Sequence, residues 1–286
     1  MKTRITWPSL IVWGAVAGLG SLQAAELKPA AKAAWDAYVH ATDLRMQSLG
    51  SSGAFLWADG TPDRIERVRS GVILVAPGTG NGTRSVPGGL IHHWLGTAFV
   101  PHTTTADVLR IAHDYPNFKQ YYRPDVVESR LLSSAGDERS FSMRSVHRVL
   151  FVTAVVESEF TARDVRVGPT RWYSVADSTR VQEVDNYGRP DEHLVPSDRG
   201  RGYVWGLHTI TRYEERDGGV YIEMEAIGLS RDIPVALRWL VNPAVARFSR
   251  SALIASLRQT REAVTAARAP EQRLSYTAGT LGAGGR

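Results

Sequence analysis

The chain has no cysteine. That excludes disulfides, a thiol nucleophile, thiolate metal sites and the lipid anchor that a lipobox cysteine carries. It leaves the compartment open, because export permits disulfides without requiring them. Lysine is scarce as well, with four among 34 basic residues. The arginines are interleaved with acids, as in Arg163-Asp164, Glu214-Glu215-Arg216-Asp217 and Arg231-Asp232. The net charge of +5 is therefore spread over a mixed surface. Nucleic acid needs a gathered patch or stripe, so a nucleic-acid partner is not expected. No Gly-x-Ser-x-Gly elbow and no His-Glu-x-x-His helix is present. Residues 78–83 (Gly-Thr-Gly-Asn-Gly-Thr) lack the lysine of a phosphate loop and run into Pro87-Gly88-Gly89 instead of a helix. They read as a flexible join. Neither a metal nor a cofactor is expected. The adjacent pair His92-His93 sits on a predicted strand, where neighbours point to opposite faces and cannot chelate one ion together.

Long apolar runs are missing except at the start. Lys2 and Arg4 precede an uncharged stretch from Ile5 to Leu22, and a small residue, Ala24, stands before Ala25. This is the pattern of a cleaved secretory signal peptide over residues 1–24. Pro8, Gly14, Gly18 and Gly20 interrupt the run, which falls short of the ~20 residues a membrane span needs. The expected address is exported, periplasmic or extracellular. Residues 25–87 read as a helical extension and linker, 88–268 as the main domain, and 269–286, rich in Gly, Ala, Ser and Thr, as a disordered tail.

What is present is alternation. Tyr203, Trp205, Leu207, Thr209, Thr211 and Tyr213 share one face of a predicted strand. Val220, Ile222, Met224 and Ala226 share one face of the next. Asp217-Gly218-Gly219 between them is hairpin chemistry. Upstream lie a strand over 90–100, two short helices within 104–122 with Thr104 or Thr105 as a cap, and four more alternating runs. A long helix is expected from Asp232, with Pro234 in its first turn and a kink at Asn242-Pro243. Its inward stripe reads Leu237, Leu240, Val241, Val245, Phe248, Ala252, Ala255 and Gln259. Consecutive strands argue an antiparallel sheet with helices to one side. The fold class is α+β: a curved antiparallel sheet of about seven strands wrapped around a long C-terminal helix.

Residues 105–133, TADVLRIAHDYPNFKQYYRPDVVESRLLS, carry a helix into an Asp-x-x-x-aromatic turn and then a proline-containing run into a strand. This text, with the order strand–helix–helix–six strands–helix, resembles the START-like (SRPBCC) superfamily of helix-grip proteins over roughly residues 88–267. The resemblance implies an apolar cavity between sheet and C-terminal helix. It implies no single reaction, because members range from lipid-transfer domains to polyketide cyclases.

The residues expected to line such a cavity are Trp172, Tyr173, Arg180, Tyr203, Trp205, Leu207, Ile222, Met224, His147 and Leu240. His147 shares a face with Phe141 and Met143. Trp172, Ser174, Ala176, Ser178 and Arg180 share one face of their strand. Arg180 then has two readings: a buried cation paired with Glu223, Glu225 or an anionic head group, or part of an exposed ladder with those glutamates. The apolar face of 220–226 favours the second. His208 reads as a surface residue. Three functions remain open on this evidence. The first is binding of a hydrophobic small molecule or lipid, with transient membrane contact. The second is a cyclase- or hydrolase-like enzyme using Arg180, Glu225 and His147. The third is an interaction module with a filled core. Oligomeric state is left open.

Overall fold

The computed structural model describes residues 25–49, 54–149, 152–232 and 246–268. Helix α1 (Pro29–Leu49) is followed by a 3-10 turn (Trp57–Gly60) and α2 (Pro62–Arg69). Strands β1 (Leu74–Pro77), β2 (Thr83–Val86) and β3 (Gly89–Pro101) come next. Then come α3 (Thr105–Ala112), a 3-10 turn (Tyr115–Asn117) and α4 (Phe118–Tyr121). Strands β4 (Val126–Ala135), β5 (Glu138–Val149), β6 (Val152–Arg166) and β7 (Arg171–Asp185) follow, then β8 (His193–Leu194), β9 (Gly206–Arg216) and β10 (Gly219–Arg231). Residues 246–268 form α5. The expected helix start at Asp232–Pro234, the kink at Asn242-Pro243 and Leu240 fall at or within 233–245, outside the described residues apart from Asp232.

One antiparallel sheet holds every strand, in the order β1-β3-β10-β9-β7-β6-β5-β4, with β2 on β3 and β8 on β7. The strand count exceeds the expected seven because β1, β2 and β8 join it. Residues 78–82 therefore link two strands of this sheet rather than joining an extension to a separate unit.

Local chemistry explains the turns. Asp217 and Gly218 have φ of 56° and 74°, and Arg216 pairs with Gly219, so a two-residue turn closes β9 on β10. Thr104 caps α3: its hydroxyl accepts from the Asp107 amide at 3.3 Å, and the Asp107 carboxylate accepts from the Thr104 amide at 3.1 Å.

The sheet is covered on both sides. On the inner face, Leu253, Leu257 and Val264 of α5 pack on Ala98, Val100, Tyr213, Val220 and Ile222. These three leucine and valine positions form the buried stripe; Phe248, Ala252 and Ala255 flank it half-buried. Gly96 permits the approach, because a Cβ there would lie 2.7 Å from Leu257 Cδ1. On the outer face the segment before β1 forms a further layer. Met46, Phe55, Leu56, Ala58 and Val68 pack on Phe99, Tyr173, Ile210 and Tyr221. Leu27, Trp35 and Tyr38 pack on Ile91, Ile227 and Leu229. No helix among the described residues is long and apolar enough to cross a membrane.

Candidate functional site

Strand register assembles the inner face row by row. Trp94, Ala226, Thr209, Ala176 and Ala162 form one row across β3, β10, β9, β7 and β6. Met224, Thr211, Ser174 and Asp164 form the row on one side. His92, Gly228 and Leu207 begin the row on the other, which Ser178, Phe160 and Phe141 continue. Most of these side chains are small. Leu207, Thr209, Met224, Ala226 and Gly228 are half-buried, although β9 and β10 are paired along both edges. Their opposite-face neighbours His208, Ile210, Arg212, Glu223, Glu225 and Ile227 are 2% exposed or less. Water therefore reaches these residues from the inner side. Among the described residues this partly exposed stretch, the candidate gap, lies between the α5 contact at Gly96 and an aromatic cluster of Tyr115, Phe118, Phe141 and Phe160. In that cluster Phe141 stacks on Tyr115 and Phe160 at centroid distances of 4.3 and 4.9 Å.

Polar groups border the gap. At the α3 end Asp164 accepts from Arg139 at 2.7 Å and from the Ser174 hydroxyl, and lies 2.8 Å from His113 Nε2. Burial alone would raise the Asp164 carboxyl, but the bonds from His113 and Ser174 and the charges of His113 and Arg139 outweigh it and hold it below the carboxylate range. It is a clamp on α3, not a proton donor at neutral pH. His147 lies on the same face, its ring edge-on to Phe248 of α5 at 5.4 Å, and burial lowers its pKa despite nearby Asp125. His92 bonds Ser230 at 2.9 Å, and burial lowers it to about 4. Glu183, buried on this face, accepts from the amides of Arg201 and Tyr203.

The outer face carries a second polar assembly, sealed under α1. Arg212 donates to Glu223 at 3.0 Å and to Glu225 at 2.5 Å. Glu223 also accepts from the amides of Trp57 (2.8 Å) and Ala58 (3.2 Å) and from the Thr97 hydroxyl (2.7 Å). Glu225 bonds His93 at 2.8 Å and Arg45, and His93 bonds the Tyr38 hydroxyl at 2.7 Å. Burial raises the Glu223 carboxyl despite Arg212. Burial would raise Glu225 too, but His93, Arg212 and Arg45 bring it down to about 2. His208 lies between Asp177 (2.7 Å) and Asp43 (3.3 Å), and these carboxylates overcome its burial and lift it to about 9. Nearby, an open depression of about 300 Å³ is lined by residues including Asp43, Met46, Glu138, Arg163, Tyr173 and Asp177. Among the described residues no group of three or more His, Asp or Glu could hold a metal.

The expected site residues divide between the faces. Trp172, Leu207, Ile222, Met224 and His147 are on the inner face; Ile222 is fully packed, and Trp172 and Met224 pack against the same core. Tyr173 is buried on the outer face under the N-terminal segment. Trp205 and Tyr203 precede β9, which begins at Gly206, so alternation does not carry them to the face of Leu207; Trp205 packs against the outer-face cluster of Ile91, Ile227 and Leu229. Arg180 is displaced by a β-bulge, where Phe160 pairs Ser178 but Glu159 pairs Arg180. The extra residue turns Arg180 to the outer side, half-exposed against Glu159. The expected ladder of Arg180 with Glu223 and Glu225 is therefore corrected: the glutamates are buried with Arg212 and Arg45. His208, expected at the surface, is fully buried. His92 and His93 do point to opposite faces, toward Ser230 and Glu225. Arg180, Glu225 and His147, the candidate catalytic set, do not converge. Sequence reasoning missed Asp164, His113 and Arg139, which only the β6 register and the α3 terminus bring together.

No family model matches the chain, and no curated protein does. Solved structures do. A STAR-related lipid transfer protein from Xanthomonas axonopodis is 14% identical, with 64% of this chain and 99% of that one covered at a TM-score of 0.45. Human STARD10 is 11% identical, with 80% and 87% covered and a TM-score of 0.42. The Zhui aromatase/cyclase from a Streptomyces species is 12% identical, with 61% and 94% covered and a TM-score of 0.39. The order strand–helix–helix–antiparallel strands–helix, with α5 against the inner face, makes this a helix-grip fold.

Proposed function

We propose that the inner-face gap binds an uncharged hydrophobic small molecule or lipid, and that the protein does so after export to the periplasm or beyond. The carrying observation is the half-burial of Leu207, Thr209, Ala226 and Gly228 on central strands whose other face is sealed. The charged groups of the described residues bordering the gap are already satisfied: Asp164 by Arg139 and His113, and Glu183 by backbone amides. A charged head group inside would therefore lack a partner, which is costly away from water. Burying ~300–400 Å² of ligand at about 25 cal/mol per Å² is worth on the order of 8–10 kcal/mol before entropic costs, enough without covalent chemistry. Export rests on the sequence of residues 1–24. Transient contact with a membrane would accompany loading.

The test is native mass spectrometry of the mature protein from its own cell envelope, together with uptake of diphenylhexatriene, an apolar dye. A bound apolar species and saturable one-to-one uptake are expected. A protein that carries nothing and leaves the dye dark would end this reading.

A further inference from the structure

Three residues of β7 floor the open depression on the outer face. Tyr173, Val175 and Asp177 share that side of the strand by alternation. Arg163 of β6 stands beside Val175, its register partner, and Asp43 and Met46 of α1 form a wall. The space measures about 300 Å³. Packing leaves Tyr173 unsatisfied. The residue is 7% exposed, and among the described residues its hydroxyl neither makes a hydrogen bond nor is sealed from solvent. A phenol buried to that extent normally has a partner. Tyr173 presents an unused donor and acceptor to the depression that it lines.

Charge is left over at the other end of the floor. His208 bonds Asp177 at 2.7 Å and lies 3.3 Å from Asp43. Burial would lower its pKa, but the two carboxylates lift it to about 9, so the ring is charged at neutral pH. One imidazolium between two carboxylates leaves one negative charge. Asp177 is half-exposed and keeps an oxygen that His208 does not use. Glu138 and Arg163, directly opposite each other across β5 and β6, are of opposite sign and add no net charge. The acids do not gather around a metal: among the described residues no group of three could hold one. An organic cation needs only one or two of them.

We infer that this depression is a second binding site, separate from the inner-face gap, and that it takes a short amino alcohol: the ammonium at Asp177 and Asp43, the alkyl chain over Val175, and the hydroxyl bonded to Tyr173. The two polar ends are far apart. Tyr173 and Asp177 are four residues from each other, about 13 Å along a strand that rises ~3.4 Å per residue. A compact cation such as ammonium itself reaches one end only. A chain of about five carbons, with the reach of the tyrosine side chain added, spans both.

The experiment is an NMR titration of the full mature chain with three probes. These are 5-aminopentan-1-ol, pentylamine, which lacks the hydroxyl, and pentane-1,5-diol, which lacks the charge. The wild type is expected to bind the amino alcohol one-to-one, about fivefold tighter than pentylamine and at least tenfold tighter than the diol, the values of one neutral and one charged hydrogen bond. Ratios are taken within each variant. Tyr173→Phe should bring the amino alcohol and pentylamine to equal affinity and leave the diol ratio in place. Asp177→Asn should reduce the diol ratio at least fivefold and leave the pentylamine ratio in place. Circular dichroism checks folding. The Tyr173 hydroxyl bonds nothing in the free protein, so Tyr173→Phe decides if Asp177→Asn does not fold. No binding of the amino alcohol, equal binding of the three probes, or ratios that survive both substitutions overturns the site. Release of diphenylhexatriene by the amino alcohol would put the probe in the inner-face gap and overturns it as well. Dye uptake by the wild type alone tests the gap, so the two readings fail separately.

Discussion

The two faces of the sheet invert the usual link between polarity and burial. The outer face carries Arg212, Glu223, Glu225, His93 and His208, and all are 2% exposed or less. The inner face carries Ala226, Thr209, Gly228 and Leu207, and these remain half-buried. Ionic side chains are dry and small, mostly apolar ones are partly wet. The difference lies in what covers each face. Helix α1 and the 3-10 turn bring hydrogen-bonding groups of their own to the outer face: Arg45, Tyr38, Asp43 and the amides of Trp57 and Ala58. The inner face receives the apolar sides of α5, α3 and the turn over 115–118, and among the described residues the small side chains between them stay half-buried. A cover that brings its own hydrogen-bonding groups can seal charged side chains, whereas an apolar cover seals only what its side chains touch.

The sharpest way to break this contrast is to remove Arg212. Arg212→Leu leaves Glu223 and Glu225 without their shared cation, and about 3–5 kcal/mol of stability should be lost in urea unfolding. A loss under 1 kcal/mol would mean that the outer face is not sealed. Next is pH. His208 titrates near 9 in the folded chain against its ordinary 6.5, so its protonated form favours the folded state. That contribution, on the order of 3 kcal/mol, is fully present below pH 6.5 and is lost as pH rises through 9. Unfolding measured from pH 6 to 10 should show the decline in the wild type and not in His208→Gln. The third comparison inserts bulk on each face. Ala58→Trp, into the packed outer layer, should cost roughly 1–3 kcal/mol or more. Ala226→Trp, into the gap, should cost less than about 1 kcal/mol yet reduce dye uptake at least tenfold. Equal stability losses at the two sites would argue that the inner face is as full as the outer. The smallest effect is expected from Arg180→Ala. Its pair with Glu159 is half-exposed, so the change should fall within about 0–1 kcal/mol and leave dye uptake alone.

Much of the frame was readable from the residue order. The Asp217-Gly218 turn, the Thr104 cap, the alternation of β10 and the opposed directions of His92 and His93 follow from local rules that hold wherever the segment ends up. The site was readable only in part. Leu207, Met224, Ile222, Trp172 and His147 were placed on the inner face by counting in twos. The count failed at Arg180, where a bulge inserts a residue, and at Trp205, which stands outside the strand. Neither feature has a local signature strong enough to break an alternating pattern. Asp164 was passed over as half of a surface Arg-Asp pair, because its partners His113 and Arg139 lie on other elements.

Sequence alone determined the alternation, the turns and the helix-grip order, since steric limits on the backbone and the two-residue period of a strand act between near neighbours. It also determined that Glu223 and Glu225 would face away from the apolar side of β10. Whether that other side met water was decided only in three dimensions. Arg45 lies 180 residues before Glu225, and Trp57 lies 166 before Glu223. Burial of a charge depends on partners brought from such distances, and no local pattern records them. The partial exposure of Leu207, Thr209, Ala226 and Gly228 is likewise a property of helix placement: the same small side chains would be core under a close-fitting cover.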